Sequence, residues 1–255
     1  MEFELKKEDK YQYIEQGEGQ PLILLHGLFG ALSNFKEVFE GFSKHFRVIV
    51  PILPIYELPI IKTNVRNLAN FVEDFINHKN FNKVHLLGNS LGGHVGLVYA
   101  VDHPNKVETL TLTGSSGLYE NSFGGTFPRR EDKNYLRKKI ELTFYDPKLV
   151  TEELVDECHE AVNNRNKVIR ILSIAKSAIR HNMANELEKL SMPVCLIWGK
   201  NDTITPPEVA EEFHDKIPNS NLYWVDKCGH AAMMEHPEEF NKILAGWYQK
   251  MKIIS

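Results

Sequence analysis

The stretch Lys83-Val84-His85-Leu86-Leu87-Gly88-Asn89-Ser90-Leu91-Gly92-Gly93-His94 leaves the chain few folds to choose from. The apolar run from Val84 to Leu87 reads as a buried strand. Gly88-Asn89-Ser90-Leu91-Gly92 interrupts it. A helical pattern follows from Leu91 through Val95, Leu97, Val98 and Ala100 to Asp102, stopped by Pro104. Strand, sharp turn and helix with a serine at the apex fit the G-x-S-x-G pattern of a nucleophile elbow. Backbone at such a serine is strained, and side chains at 88 and 92 would collide with the neighbouring strand and helix. The turn also sets Ser90 at a helix N-terminus, whose free N–H groups stabilise negative charge. An ordinary Gly/Ser-rich turn is the bland alternative, and the rest of the chain decides between the two.

Along the chain, segments around Phe3 to Lys6 and Tyr11 to Glu15 alternate apolar and polar about Lys7-Glu8-Asp9-Lys10, which suggests a hairpin. Pro21-Leu22-Ile23-Leu24-Leu25 is apolar enough to be covered on both faces, as strands of a parallel sheet are. His26-Gly27-Leu28-Phe29-Gly30 follows, then a helix capped by Ser33 or Asn34 and running to about Lys44. Phe46 to Val50 reads as the next strand. In the helix from Asn64 to His78, Val65, Leu68, Ala69, Val72, Phe75 and Ile76 share one face. Val107 to Thr113 is a strand ending in Gly114-Ser115-Ser116-Gly117.

From about Leu118 to Leu187 no buried strand is evident, but helical patterns run from about Thr151 to Asn163 and from about Lys167 to His181. The alternation then resumes with strand Val194 to Trp198, helix Glu208 to Ile217, strand Leu222 to Val225, and a helix after Pro237. Strand alternating with helix implies α/β architecture, a mostly parallel doubly wound sheet with an inserted helical segment. The expected division is a core of residues 1–117 and 188–255 with a helical cap at 118–187.

A serine hydroxyl becomes a competent nucleophile when a base takes its proton. His230, in Asp226-Lys227-Cys228-Gly229-His230-Ala231 just past the last strand, is the candidate base. Loops after parallel strands gather along one sheet edge, so Ser90 and His230 can meet there. The imidazole needs a carboxylate, and Asp202, following the preceding strand, supplies it. Asp226 reads as a surface or turn residue, and Gly114-Ser115-Ser116-Gly117 offers no carboxylate. The backbone N–H groups of Leu91 and Leu28 are the expected oxyanion donors, with Phe29 a weaker alternative to Leu28. His26 reads as a brace for that loop, and His94 as a packing residue. Met233 and Met234 read as core fillers, and Gly124-Gly125 as a lid hinge or plain connection.

Charge and thiols exclude several classes. A net charge of −4 and the lack of a long basic arm argue against nucleic-acid binding. The basic run Arg129, Arg130, Lys133, Arg137, Lys138 and Lys139, softened by Glu131 and Asp132, reads as a solvated helix face. No run of about 18 apolar residues is present, and the first residues lack a signal-peptide pattern. Cys158, Cys195 and Cys228 lack metal or disulfide spacing. The expectation is a cytoplasmic protein acting on a small molecule, with no metal, cofactor, nucleic-acid or membrane partner and with oligomeric state open.

With these residues placed, the chain resembles the α/β-hydrolase superfamily from about Pro21 to Tyr248. The resemblance rests on His26-Gly27, the Gly88 to Gly93 elbow, Trp198-Gly199-Lys200-Asn201-Asp202 and Cys228-Gly229-His230. The order Ser90, Asp202, His230 is that of the superfamily. The elbow and Ser33-Asn34-Phe35 are similar to the meta-cleavage-product (carbon–carbon bond) hydrolases. That resemblance implies substrate contacts at Asn34, Asn89 and Arg165, with Arg180 a weaker arginine; Phe29 is a further candidate contact, and Asn34 as a helix cap with Asn89 as a support of the turn is the alternative. Two features depart from it: Pro51-Ile52-Leu53-Pro54-Ile55-Tyr56 lacks the Asp-x-Pro-Gly-x-Gly pattern, and Ala231-Ala232 replaces the tryptophan often found after the base. The implied activity is that of a serine hydrolase, first a carboxylesterase on small esters. Carbon–carbon hydrolysis of vinylogous diketones and a non-catalytic small-ligand receptor are the alternatives.

Overall fold

The computed structural model describes residues 4–29, 32–121 and 129–255. The chain begins with β1 (Lys6–Glu8), β2 (Tyr11–Gln16), β3 (Pro21–Leu25), α1 (Lys36–Phe42), β4 (Arg47–Pro51) and α2 (Val65–His78). It continues through β5 (Val84–Asn89), α3 (Leu91–Asp102), β6 (Val107–Thr113), α4 (Lys133–Glu141), α5 (Glu152–Asn163) and α6 (Arg165–Arg180). Then come β7 (Val194–Gly199), α7 (Pro207–Lys216), β8 (Ser220–Val225), α8 (Ala232–Glu235) and α9 (Pro237–Lys250). The sheet order is β1-β2-β4-β3-β5-β6-β7-β8. β1 and β2 pair antiparallel, as do β2 and β4, and all other neighbours are parallel.

Strand periodicity explains the uninterrupted apolar runs. Side chains alternate across a strand, so a strand covered on both faces needs apolar residues at every position. In β3, Ile23 and Leu25 enter the core on one face while Leu22 and Leu24 enter that on the other. β7 divides the same way, Val194, Leu196 and Trp198 against Cys195 and Ile197. The first core is closed by α2, α3 and α7, the second by α1 and α9. Asn64 caps α2 by accepting from the Asn67 N–H at 2.9 Å.

Two boundaries differ from the sequence pattern. β1 is Lys6–Glu8, so the turn shrinks to Asp9-Lys10 and Asp9 adopts φ 52°. α1 begins at Lys36 after a 3-10 turn over Leu32–Phe35; its N-cap is Phe35, with no capping side chain. Asn34 is therefore left to face the cavity described below.

The segment between β6 and β7 carries α4, α5 and α6, of which α4 was not evident as an apolar pattern. Leu136 and Ile140 are the buried residues of α4, and two of its basic residues find acids on α5. Lys133 pairs with Asp156 and Arg137 with Glu152, each at 2.6 Å. Two residues of the basic run thus tie α4 to its neighbour. The Gly124-Gly125 segment lies outside the described residues.

Candidate active site

Five loops following parallel strands converge at the C-terminal edge of the sheet. They carry Leu28 after β3, Ser90 after β5, Ser116 and Glu120 after β6, Asp202 after β7, and His230 after β8. Ser90 adopts φ 53°, ψ −120°, a conformation that costs an L-residue about 1–3 kcal/mol. It persists because its surroundings hold it: the Ser90 N–H donates to Thr113 O at 3.2 Å, and Ser90 O accepts from His94 and Ser116 N–H, each at 3.1 Å. A Cβ on Gly92 would lie 1.9 Å from Leu25 O, and one on Gly88 would lie 2.5 Å from Gly92 O. Gly92→Ala is accordingly expected to lose at least about 3 kcal/mol of stability. A denaturation midpoint equal to the parent's would overturn that packing argument.

His230 is buried, and its Nδ1–H donates to Asp202 Oδ2 at 2.8 Å. The other Asp202 oxygen accepts the N–H groups of Ile204 and Thr205 at 2.8 and 3.0 Å, and the Thr205 hydroxyl donates to Oδ2 at 2.8 Å. The carboxylate is therefore held in one orientation. Burial alone would depress the His230 pKa; the charge of Asp202 and its hydrogen bond, with a smaller contribution from Glu120, raise it above the usual imidazole value. Gly114, at φ +50°, lets the chain pass under the ring: a Cβ there would lie 2.9 Å from His230 Nδ1. The His230 N–H donates to Thr143 O at 2.7 Å, so the α4–α5 connection fixes His230. Glu235 ties the same connection to Gly229 through bonds from Tyr145, Asp146 and Gly229 N–H.

Ser90 and His230 line one cavity of about 140 Å³, together with Leu28, Phe29, Asn34 and Leu91. Ile140 of α4, Leu154 and Cys158 of α5, and Ile174, Ala178 and Ile179 of α6 make the opposite wall mainly apolar. A methyl on Gly27 would lie 3.4 Å from Ser90 Cβ, which sets the Gly27-Leu28 backbone beside the serine. Leu91 opens α3, where N–H groups lack intrahelical acceptors. His26 receives the Leu53 N–H on Nε2 at 3.0 Å and contacts Gly27 O through Nδ1 at 2.9 Å, bracing that loop.

Asn89 lines the cavity as well, whereas the expected arginines fall elsewhere. The Asn89 side chain donates to Thr113 O and His230 O at 3.0 and 3.3 Å, so its amide N–H groups hold backbone. Arg165 is exposed at the first position of α6 and does not line the cavity, because the apolar face of α6, with Val168, Ile171, Ile174, Ala175 and Ala178, is the one turned inward. Arg180, at the other end, is exposed too. Met234 lines the cavity, whereas Met233 is packed in the core. Asp226 is exposed and lies 3.5 Å from Lys200. His94 lies beneath α6, its Nε2 3.0 Å from His181 Nδ1, and burial together with His181 pushes its pKa down to about 3.

Four contributors escaped the sequence pattern: Thr205, Thr143, Glu235 and Glu120. Thr205 had a local signal, since aspartate followed three residues later by threonine favours a side chain–backbone turn. Glu120 is the larger omission. It follows the very loop that seemed to hold no carboxylate, and it returns to line the cavity.

A family model described as the alpha/beta hydrolase fold matches residues 20–140 and 147–237. The chain belongs to the α/β-hydrolase family. This α/β-hydrolase is 32% identical, over 244 residues covering 90% of it and 84% of the relative, to a 2-hydroxy-6-oxo-6-(2'-aminophenyl)hexa-2,4-dienoic acid hydrolase of Metapseudomonas resinovorans. It superposes with a TM-score of 0.82 on MGS-MChE2, an alpha/beta hydrolase enzyme from a lagoon-sediment metagenome of Mar Chica, Morocco. That pair is 46% identical, covering 98% of this chain and 99% of the other. The meta-cleavage product hydrolase CumD of Pseudomonas fluorescens IP01 superposes equally well, TM-score 0.82 over 94% of each chain, at 21% identity, a likeness of fold. Among the described residues of this α/β-hydrolase, no helix is long and apolar enough to cross a membrane.

Proposed function

We propose that this α/β-hydrolase is a serine carboxylesterase of small esters, working through an acyl-enzyme. The observation that carries the reading is the buried His230–Asp202 hydrogen bond of 2.8 Å opening onto the cavity that Ser90 lines. Ser90 Oγ attacks the ester carbonyl while His230 Nε2 takes its proton, and Asp202 holds the imidazolium that forms. The N–H groups of Leu28 and Leu91 stabilise the oxyanion. Collapse expels the alcohol, protonated by His230, and water activated by the same base releases the acid. Residues 118–187 act as a cap over the core of 1–117 and 188–255, walling the acyl pocket. The three free thiols, all buried, suit a reducing compartment such as the cytoplasm.

Carbon–carbon hydrolysis is the second reading, favoured by the 32% identical dienoic acid hydrolase. Against it, no lysine or arginine is among the described residues lining the cavity, where a dienoate carboxylate would need a partner. Cavity size supports short acyl groups, since about 150 Å³ holds a benzene-sized molecule. The test is labelling with a fluorophosphonate, with the modified residue read by mass spectrometry, followed by p-nitrophenyl esters of increasing acyl length. Labelling at Ser90 with kcat/KM highest for short acyl chains is expected. Labelling without ester turnover, and turnover of a vinylogous diketone instead, would transfer the assignment to the second reading.

A further inference from the structure

Glu120 is built into the cavity wall from both sides. Before it, Ser116 donates its N–H to Ser90 O at 3.1 Å and its hydroxyl to the Glu120 carboxyl. After it, the Asn121 N–H donates to Ile204 O and the Asn121 amide to Thr203 O, each at 2.7 Å. The residue is thus strung between the serine elbow and the loop that carries Asp202. Its carboxyl is half-buried, with the Ser116 hydroxyl as partner, and no lysine or arginine is among the described residues around the cavity. A carboxyl so placed, opposite apolar side chains and beside Ser90 and His230, costs stability and marks a group suited to act on what enters. Burial raises its pKa, and the Ser116 hydrogen bond and the charge of His230 offset this only in part.

We infer that Glu120 is a specificity-determining residue that excludes anionic substrates and selects neutral and cationic ones. The inference rests on the serine esterase reading and narrows its substrate class. An anionic acyl group would bring a second negative charge into a small, weakly screened cavity already holding one. A cationic or hydrogen-bond-donating group finds a partner there. The dienoic acid hydrolase relative acts, by its name, on a carboxylate-bearing compound, the charge class that Glu120 would exclude here.

The experiment compares three p-nitrophenyl esters on the wild type, Glu120→Gln and Glu120→Asp at about pH 7 and about pH 8.5, the higher pH favouring the ionised form of a raised carboxyl. They are the pentanoate, the hemiglutarate and the 4-(trimethylammonio)butyrate, which share a three-methylene spacer and differ in terminal charge; each variant is compared with the wild type on the same ester, so differences in bulk cancel. Glu120→Gln is expected to raise the hemiglutarate-to-pentanoate ratio of kcat/KM at least tenfold, about 1.4 kcal/mol. It should lower the cationic-to-neutral ratio comparably, while Glu120→Asp keeps most of the discrimination. A purely structural role would depress all three substrates together, and ratios moving less than about twofold would overturn the inference. Should the wild type hydrolyse none of them, the esterase reading fails separately. Dissociation constants of phenylboronic acid and its 4-carboxy and 4-trimethylammonio derivatives then report the same charge discrimination, by the same ratios. Absence of boronate binding would overturn both.

Discussion

Ser90→Ala is expected to lower kcat/KM for short p-nitrophenyl esters by about 10⁵–10⁶-fold, with no loss of fold. The size follows from the mechanism: without Oγ no acyl-enzyme forms, and catalysis left to the cavity and the oxyanion donors is small. Alanine keeps the strained φ of 53° and adds no atoms, so its denaturation midpoint should match the parent's. Fluorophosphonate labelling should vanish in the same variant. Residual turnover within tenfold of the parent would remove Ser90 from the mechanism altogether.

Asp202→Asn is expected to cost about 10³–10⁴-fold in kcat/KM. Two effects combine. The amide no longer favours the tautomer that carries its proton on Nδ1, and the developing imidazolium loses its counter-charge. The sign of the pH effect follows from the same contacts. In the parent, the Asp202 charge and hydrogen bond outweigh burial and hold the His230 pKa above the imidazole norm of about 6.5. The neutral base accumulates only as pH rises through that value, so the acid limb of the kcat/KM profile should lie above it. Without the Asp202 charge, burial dominates and the limb should move to lower pH. A profile that keeps its acid limb in the variant would show that another group titrates there. Thr205→Val should produce a weaker version, about tenfold in kcat/KM, because Asp202 Oδ2 loses one donor but keeps its charge.

The sequence by itself determined the sheet and the order in which chemical groups arrive at its edge. Doubly covered strands must be apolar at every position, so β3, β5 and β7 announce themselves without any knowledge of their neighbours. The strand-turn-helix at Ser90 is equally local: glycine is required at 88 because a Cβ would meet Gly92 O, four residues on. Asp202 and His230 follow from position, since loops after parallel strands share one edge.

What the tertiary structure decided lies in segments whose partners are remote. α4 has only Leu136 and Ile140 buried, and it is tied to α5 by the ion pairs of Lys133 and Arg137, so its sequence lacks the broad apolar stripe of a free-standing amphipathic helix. Arg165 turned outward because the apolar stripe of α6 faces in. Asn89 became a backbone clamp through two carbonyls, one of them 141 residues away. Glu120 reached the cavity because Asn121 is anchored to the Asp202 loop, 82 and 83 residues along the chain. Periodicity and local turn chemistry act over a few residues, and so they can be read from a string. Which charge faces which cavity depends on hydrogen bonds between loops distant in sequence, and these exist only once the sheet has brought its strand ends together.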